Sequence, residues 1–254
     1  MLIRPAALLL AAALSSASAQ AMLDTPAPAA PPQTEALSSE SRGDIFMAEK
    51  KFREAIEAYQ ENGAANPVVQ NKLGIAYQQL QQLDNARKEY ERAITLKPDY
   101  MEALNNLGTV YYARKSYRRA INWYNRAIKA APDEKRAAVV YENLGRAWFN
   151  RKNYARADEC NLAALRLDPD VFRSHGTIGQ ILEETSVEER AKYHFHQALV
   201  FARAGQTDQA LQYLRKALEE GYKNKKSLDE EPDFATLKEL PEFKELMTRV
   251  PRVL

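Results

Sequence analysis

Apolar and polar positions alternate with a helical period from about residue 36 to the end of the chain. Apolar side chains recur at intervals of three and four residues, which is the spacing of one helix face. The sequence has no β-branched runs of strand length between turn signals. The pattern therefore predicts an all-α chain.

Small residues return in phase along this helical region. Leu-Gly or Ile-Gly pairs end at residues 74, 108, 145 and 179, at spacings of 34, 37 and 34 residues. A large residue follows each glycine by three positions, and alanines follow it by twelve and by nineteen. These slots hold Tyr77, Tyr111, Trp148 and Leu182, then Ala86, Ala120, Ala157 and Ala191, then Ala93, Ala127, Ala164 and Ala198. Gly43 begins a further copy upstream, and self-similarity of this period is the signature of a helical repeat array.

Each unit is expected to be a pair of antiparallel helices, because glycine in the first helix and alanine in the second let the two backbones approach closely. Near the C-terminal end the phase is ambiguous. Ser186 and Glu189 form a capping box, so a helix is expected to start near Val187 and to run unbroken to Arg203. That helix is expected to end a fifth unit and to start a sixth, in which Ala198 replaces the glycine. The phase between residues 186 and 221 stays open at this point.

These slots resemble the signature of the tetratricopeptide repeat family over residues 36–221. The resemblance implies a right-handed α-solenoid of about five to six helix–turn–helix units, whose concave face is lined by the first helix of each pair. Residues 222–254, with prolines at 232 and 241, are expected to form short helices that cap the apolar end of the array.

The N-terminal region has a different composition. Residues 1–19 contain Arg4, a run of Ala and Leu over residues 6–14, and the small residues Ala17 and Ala19. This is the pattern of a signal peptide, with cleavage predicted after Ala19 and a periplasmic or secreted location. The apolar run is too short to span a bilayer, and an uncleaved anchor is the alternative. Residues 20–35, rich in Pro and Ala, are expected to form a disordered linker.

Charge and residue types exclude several function classes. The chain has 36 Lys and Arg against 34 Asp and Glu, a net charge of +2, and the signs are interleaved along the helices, which gives no support to a nucleic-acid or membrane partner. His194 and His196 are two positions apart on a helix and so point to different faces. Cysteine pairs, Gly-rich phosphate loops and nucleophile motifs are missing. We predict no enzyme activity, no cofactor and no metal, and we expect Cys160 to be a buried, inert thiol.

The helical register selects residues on the inner face of the first helices as candidates for protein binding. Asparagine both donates and accepts hydrogen bonds, so a ladder of its side chains is suited to the backbone of an extended peptide. Alternatively, the asparagines at 106 and 143 only stabilise the helix pair, since the family commonly has Asn in that slot. The first unit presents Glu40 and Asp44 where some family members grip a C-terminal carboxylate, which argues against such a clamp. The candidates are Asn71, Gln78, Asn105, Asn106, Tyr112, Asn143, Arg146, Phe149 and Asn150.

The sequence thus predicts an exported scaffold or adaptor that holds an extended segment of a partner polypeptide in the concave groove. Tyr112 and Phe149 are expected to give apolar contacts, and Arg146 is expected to meet a carboxylate. The alternative is a homo-oligomeric or cell-envelope assembly component that uses the convex face or an array end. The expected partners are other proteins, without nucleic acid and without membrane insertion after signal cleavage, and an oligomer stays open.

Overall fold

The computed structural model describes residues 37–62, 65–173 and 186–248. The chain divides into two compact units, Met1–Leu37 and Ser38–Leu254, and the helices described here belong to the second. The predicted signal peptide and linker lie outside the described residues, so they stay predictions. The helices are α1 Ser39–Ala48, α2 Phe52–Asn62, α3 Pro67–Gln79, α4 Leu83–Leu96, α5 Met101–Ala113, α6 Tyr117–Ala130, α7 Glu134–Asn150, α8 Tyr154–Leu167, α9 Val187–Arg203, α10 Thr207–Glu219, α11 Lys225–Glu230, α12 Ala235–Lys238 and α13 Pro241–Thr248, with a 3₁₀ turn at Pro232–Phe234.

Consecutive helices pack as hairpins: α1 with α2, α3 with α4, α5 with α6, α7 with α8, and α9 with α10. The second helix of each of the first three hairpins packs against the first helix of the next, and α8 packs against α9. No strand occurs within the three described stretches. The predicted all-α solenoid of stacked helix pairs is confirmed.

The glycine slots are places of close helix approach, as the sequence predicts. A Cβ atom built on Gly74 would lie 2.6 Å from Cδ1 of Tyr90, and one on Gly108 would lie 2.6 Å from Cδ1 of Tyr124. Both distances are shorter than real Cβ contacts, so a side chain there would push the two helices of the hairpin apart. Tyr90 and Tyr124 are almost fully buried as a result.

The turn inside each hairpin settles the repeat phase. One residue has a positive φ in each of these turns, always seven positions after the small residue of the first helix: Lys50, Gln81, Lys115, Lys152 and Gly205. The N–H of the next residue donates to a carbonyl five residues back, as Lys51 does to Phe46 at 2.8 Å and Gln206 does to Phe201 at 2.9 Å. This is the left-handed helix end of a Schellman motif. Ala198 therefore occupies the glycine slot of the fifth described hairpin, and α9 is its first helix.

The long helix predicted from the capping box is confirmed as α9, because the Ser186 side chain accepts a hydrogen bond from the Glu189 N–H at 3.2 Å. Asn66 and Asn153 also cap helices, at α3 and α8, whereas Ser116 makes no capping bond to α6. The expected unit around Ile178 and Gly179 lies outside the described residues.

The C-terminal segment covers the last hairpin. Its 3₁₀ turn packs against α9 and its final helix packs against α10. The ring of Phe195 on α9 stacks on Tyr222 at 4.3 Å and meets Phe234 edge-on at 5.9 Å. The buried side chains that the segment adds to the core are Leu228, Phe234, Leu237, Phe243 and Leu246. A solenoid end would otherwise expose apolar surface, and this segment removes it from water.

Candidate functional site: the first-helix face

The nine candidate binding residues lie on α3, α5 and α7, the first helices of three successive hairpins. We call the side of these helices that carries them the first-helix face. Its side chains bond from one helix to the next: Asn106 Nδ2 donates to Asn71 Oδ1 at 3.0 Å, and Asn143 Nδ2 donates to Asn105 Oδ1 at 3.0 Å. A third bond joins α7 to α5, from Asn150 Nδ2 to the Tyr112 hydroxyl at 2.8 Å. The asparagine ladder thus links neighbouring hairpins.

Three candidates are already engaged inside the protein. Asn71 is buried, 6% exposed, so its amide serves the contact between α3 and α5. Gln78 accepts a hydrogen bond from the Tyr90 hydroxyl at 3.0 Å, within its own hairpin. The Phe149 ring packs against the rings of Tyr193 at 5.3 Å and Tyr154 at 5.1 Å, so it contributes to the α7–α8–α9 contact.

Two half-buried amides keep unused hydrogen-bonding groups. The bond from Asn143 uses only the Oδ1 of Asn105, and the bond to Asn71 uses only the Nδ2 of Asn106. Within the described ranges, no hydrogen bond engages the side-chain amide N–H groups of Asn105 or the side-chain oxygen of Asn106. The two side chains are adjacent on α5, where the Asn105 amide can donate a hydrogen bond to a ligand and the Asn106 oxygen can accept one.

The cation of the face, Arg146, has an internal carboxylate partner. Its Nη2 lies 3.4 Å from Glu142 Oε1 and donates to Asn143 Oδ1 at 2.6 Å. The Arg146 and Glu142 side chains are only 12% and 1% exposed. Burial disfavours the charged guanidinium, but the Glu142 carboxylate and three nearby tyrosines together outweigh it, so the pKa of Arg146 is raised. Burial raises the pKa of Tyr112 to about 12.

A second cation is neutralised towards the N-terminal end of the array. Lys72 Nζ lies 2.7 Å from both Glu40 and Asp44, and the Tyr59 hydroxyl donates to Asp44 at 2.7 Å. Burial disfavours the charged forms of Lys72 and Asp44. Their hydrogen bonds outweigh it, so the pKa of Lys72 is raised and that of Asp44 is lowered. A lysine held by two carboxylates is poorly placed to grip the carboxylate of a partner.

One helix, α6, is strongly basic, which the charge pattern of the whole chain did not predict. The signs are not interleaved on α6, which carries Arg118, Arg119, Arg126 and Lys129 and no acidic residue. All four of these side chains are exposed. The net charge of each helix, rather than of the whole chain, is the signal that would have revealed this surface.

The other candidates for chemistry sit in structural contacts. His194 Nδ1 bonds Glu220 at 2.7 Å and His196 Nδ1 bonds Asp158 at 2.9 Å, so the two rings serve different carboxylates. In the part of the chain that the structure describes, no three His, Cys, Asp or Glu side chains gather as a metal site. Cys160 is half-buried rather than buried as expected, and its burial raises the pKa to about 11, which keeps it a thiol rather than a reactive thiolate. Of the helices described, none combines the length and the apolar character needed to cross a membrane.

Sequence comparison finds relatives with the same repeat. Two models of the tetratricopeptide repeat family match residues 71–135 and 193–224. The chloroplast protein PYG7 of Arabidopsis thaliana, a tetratricopeptide repeat domain-containing protein, is 31% identical over 97 residues, 38% of this chain and 32% of PYG7. The protein ycf37 of Guillardia theta is 30% identical over 105 residues, 37% of this chain and 58% of that protein. The co-chaperone sgt12 of Aspergillus fumigatus is 31% identical over 123 residues, 46% of this chain and 36% of sgt12. The chain therefore spans between about a third and three fifths of these relatives.

Solved structures share the architecture. The crystal structure of MamA aligns with 72% of this chain and 96% of MamA, at 22% identity and a TM-score of 0.50. The Cut9-Hcn1 complex of the APC/C aligns over 84% of this chain and 35% of the matched chain, at 20% identity and a TM-score of 0.50. At such identities the likeness concerns the fold alone. Because the repeated slots, the shared turn and both family matches agree, the chain belongs to the tetratricopeptide repeat family.

Proposed function

We propose that the protein is an exported scaffold that holds an extended segment of a partner polypeptide along the first-helix face. Tetratricopeptide repeat proteins are generally protein-interaction scaffolds, and the relative sgt12 is named as a co-chaperone. The observation that carries the proposal is the donor and acceptor that Asn105 and Asn106 keep unused on α5. An extended backbone presents the complementary groups, a carbonyl oxygen for the first and an N–H for the second.

The hydrogen bonds from neighbouring hairpins hold the Asn105 and Asn106 side chains in place for a ligand. Asn71 and Asn143 fix the two amides from α3 and α7, so a ligand does not have to order them on binding. Pre-organised polar groups on rigid helices bind more tightly than the same groups on mobile side chains.

The charges of the face favour an internal, weakly charged segment over a chain end. Lys72 and Arg146 are each matched to carboxylates of the protein itself. A C-terminal carboxylate would have to compete with those partners, whereas a neutral backbone would not.

We also propose that the protein has no enzyme activity and acts in the periplasm or outside the cell. The first part is supported by the raised pKa of the half-buried Cys160 thiol and by the family, whose members are generally not enzymes. The second part is supported by the signal pattern of residues 1–19.

The test uses a substitution that separates ligand binding from the ladder. Asn105→Asp keeps the oxygen that Asn143 bonds but replaces the unused donor with an acceptor. Gln212→Glu makes the same amide-to-carboxylate change at an exposed position of α10, away from this face, and is the matched control. Proteins captured from cell-envelope extract by wild type and both variants are quantified by mass spectrometry. We expect captured partners to fall about fivefold or more with Asn105→Asp, the loss of roughly one hydrogen bond, and to be unchanged with Gln212→Glu. Equal capture by all three proteins would refute binding at this face.

A further inference from the structure

The exposed side of α6 continues into a larger basic surface on the third and fourth hairpins. On it, four arginines lie over three aromatic rings. We call this set the arginine–aromatic surface, and its members are Tyr111, Arg119, Trp123, Arg126, Trp148, Arg151 and Arg156. All of its arginines are exposed and all of its rings are half-buried.

The guanidinium groups lie close to the ring faces. The Cζ of Arg126 is 4.4 Å from the centre of the Trp123 ring, and the Cζ of Arg156 is 4.7 Å from that of Trp148. Arg151 lies over the same Trp148 ring at 5.5 Å, and Arg119 lies over Tyr111 at 5.7 Å. Such cation–π contacts restrict the rotamers of long side chains that would otherwise move freely.

These arginines have no ion-pair partner among the described residues. Near the Tyr111 ring, Glu91 pairs with Arg87 at 3.0 Å, and Asp84 pairs with Arg114 at 2.5 Å. Glu159, near Arg156 on α8, is exposed and makes no ion pair with it. The surface therefore presents four cations with their hydrogen-bonding edges unmatched.

We propose that the arginine–aromatic surface binds an acidic segment of a protein partner. A guanidinium that rests on a ring keeps its in-plane N–H groups directed outward, and their fork matches a carboxylate in two parallel hydrogen bonds. The charge of the surface is complementary to a run of Asp and Glu, and the rings beneath add apolar area beside it.

Other anionic occupants fit the surface less well. Interfacial membrane binding needs an apolar face. Among the described residues the large exposed apolar side chains are Leu37, Ile45, Val68, Leu96 and Val187, and none of them lies on α6. Single-stranded nucleic acid stacks its bases on open aromatic ring faces, whereas here the rings are half-buried and arginines lie over Trp123 and Trp148.

The test measures binding of three probes to the full mature chain by fluorescence anisotropy or vesicle sedimentation. They are a fluorescein-labelled peptide of repeated Glu-Asp-Tyr, a single-stranded oligothymidylate of equal charge, and vesicles of phosphatidylcholine with phosphatidylglycerol. The variant combines Arg119→Gln, Arg126→Gln and Arg156→Gln. A control with the same change in net charge combines Arg92→Gln, Arg136→Gln and Arg173→Gln, whose arginines are ion-paired to Glu89, Glu102 and Asp170.

We expect the wild type to prefer the peptide. The surface variant should lose roughly tenfold in affinity, as three exposed ion pairs would contribute together, and the control should stay within about twofold. Circular dichroism of both variants should match the wild type. Tighter binding of oligothymidylate or vesicles, an equal loss in the control, or no binding of the peptide by wild type would overturn the proposal. Asn105→Asp should leave peptide binding here unchanged, so the two proposals fail independently.

Discussion

The first-helix face and the arginine–aromatic surface are carried by the same hairpins but treat positive charge in opposite ways. On the first-helix face the cations are half-buried between helices, and Lys72 and Arg146 have carboxylate partners supplied by the protein. On the other surface the arginines are exposed and rest on aromatic rings. A charge taken out of water needs a partner, whereas an exposed charge does not. The contrast indicates that the inner cations stabilise the fold and the outer ones are available to a partner.

The largest effect on the unfolding free energy is expected at the buried pair of Glu142 and Arg146. Glu142→Gln keeps the shape of the side chain but leaves Arg146 without its carboxylate in a site where the two side chains are 1% and 12% exposed. An uncompensated buried charge of this kind costs about 3 kcal/mol of unfolding free energy. Urea denaturation of both proteins, followed by circular dichroism, measures it.

Two further variants make the comparison specific. Glu57→Gln changes an exposed carboxylate on α2 and should cost no more than about 0.5 kcal/mol. Replacing the pair together, as Glu142→Leu with Arg146→Met, should be less destabilising than Glu142→Gln alone. If Glu142→Gln were as stable as wild type, the inner cations would not be structural and the contrast between the faces would be lost.

The next largest effect is expected at the contact between α5 and α6, the helices that carry residues of both surfaces. Gly108 belongs to α5, which carries Asn105 and Asn106, and lies where that helix contacts α6, which carries Arg119 and Arg126. Gly108→Val would place its side chain within 2.6 Å of the Tyr124 ring, so the helices must separate. We expect a loss of about 2 kcal/mol, measured by urea denaturation.

Ala113→Val, at the exposed end of the same helix, is the matched control, and its cost should be near the difference in helix propensity, about 0.6 kcal/mol. An equal loss in both variants would mean that close packing at Gly108 is not what joins the helices.

The helix pairs could be predicted from the sequence because their determinants are local. Glycine and alanine slots specify a backbone approach inside one hairpin, and each appears at a fixed spacing. The phase near α9 was ambiguous since Ala191 and Ala198 fit two registers, and Gln197 occupies the slot that holds Leu73 in an earlier unit. Comparing the turns would have resolved it, because Gly205 stands seven positions after Ala198, where Lys115 follows Gly108.

The candidate site was only partly predictable, since its contacts join different repeats. The register placed Asn105 and Asn143 on one face but not in contact, because that contact depends on how far one hairpin is displaced from the next. The pairing of Arg146 with Glu142 was likewise hidden by their separation of one helical turn, which is equally compatible with an exposed pair. The arginine–aromatic surface was missed because charge was summed over the chain rather than over each helix.

A smaller effect concerns a charged contact on neither surface. His194 on α9 lies 2.7 Å from Glu220, with Arg190 and Lys216 also near. Burial lowers the pKa of His194 below its usual 6.5 despite the Glu220 carboxylate. The unfolded chain therefore takes up the proton at a higher pH than the folded one, so stability is present above about pH 6.5 and declines as the pH falls below it.

Thermal unfolding between about pH 8 and pH 5 should show stability falling as the pH is lowered in the wild type, and His194→Gln should flatten that part of the profile. An identical pH profile for the variant would show that His194 is not buried in its neutral form.

The smallest effect is expected on the outer surface, and it is the sharpest test of the contrast. Arg126 is exposed, lies 4.4 Å from the Trp123 ring centre, and has no carboxylate partner among the described residues. A cation–π contact at an exposed site contributes about 0.5 kcal/mol, so Arg126→Gln should change the unfolding free energy by no more than that. Urea denaturation beside Glu142→Gln gives the comparison directly. A loss of unfolding free energy near that of Glu142→Gln would make Arg126 a structural residue. An arginine that the fold requires is not free to bind a partner. A negligible loss together with weaker binding of the acidic peptide would separate the two roles of charge in this protein.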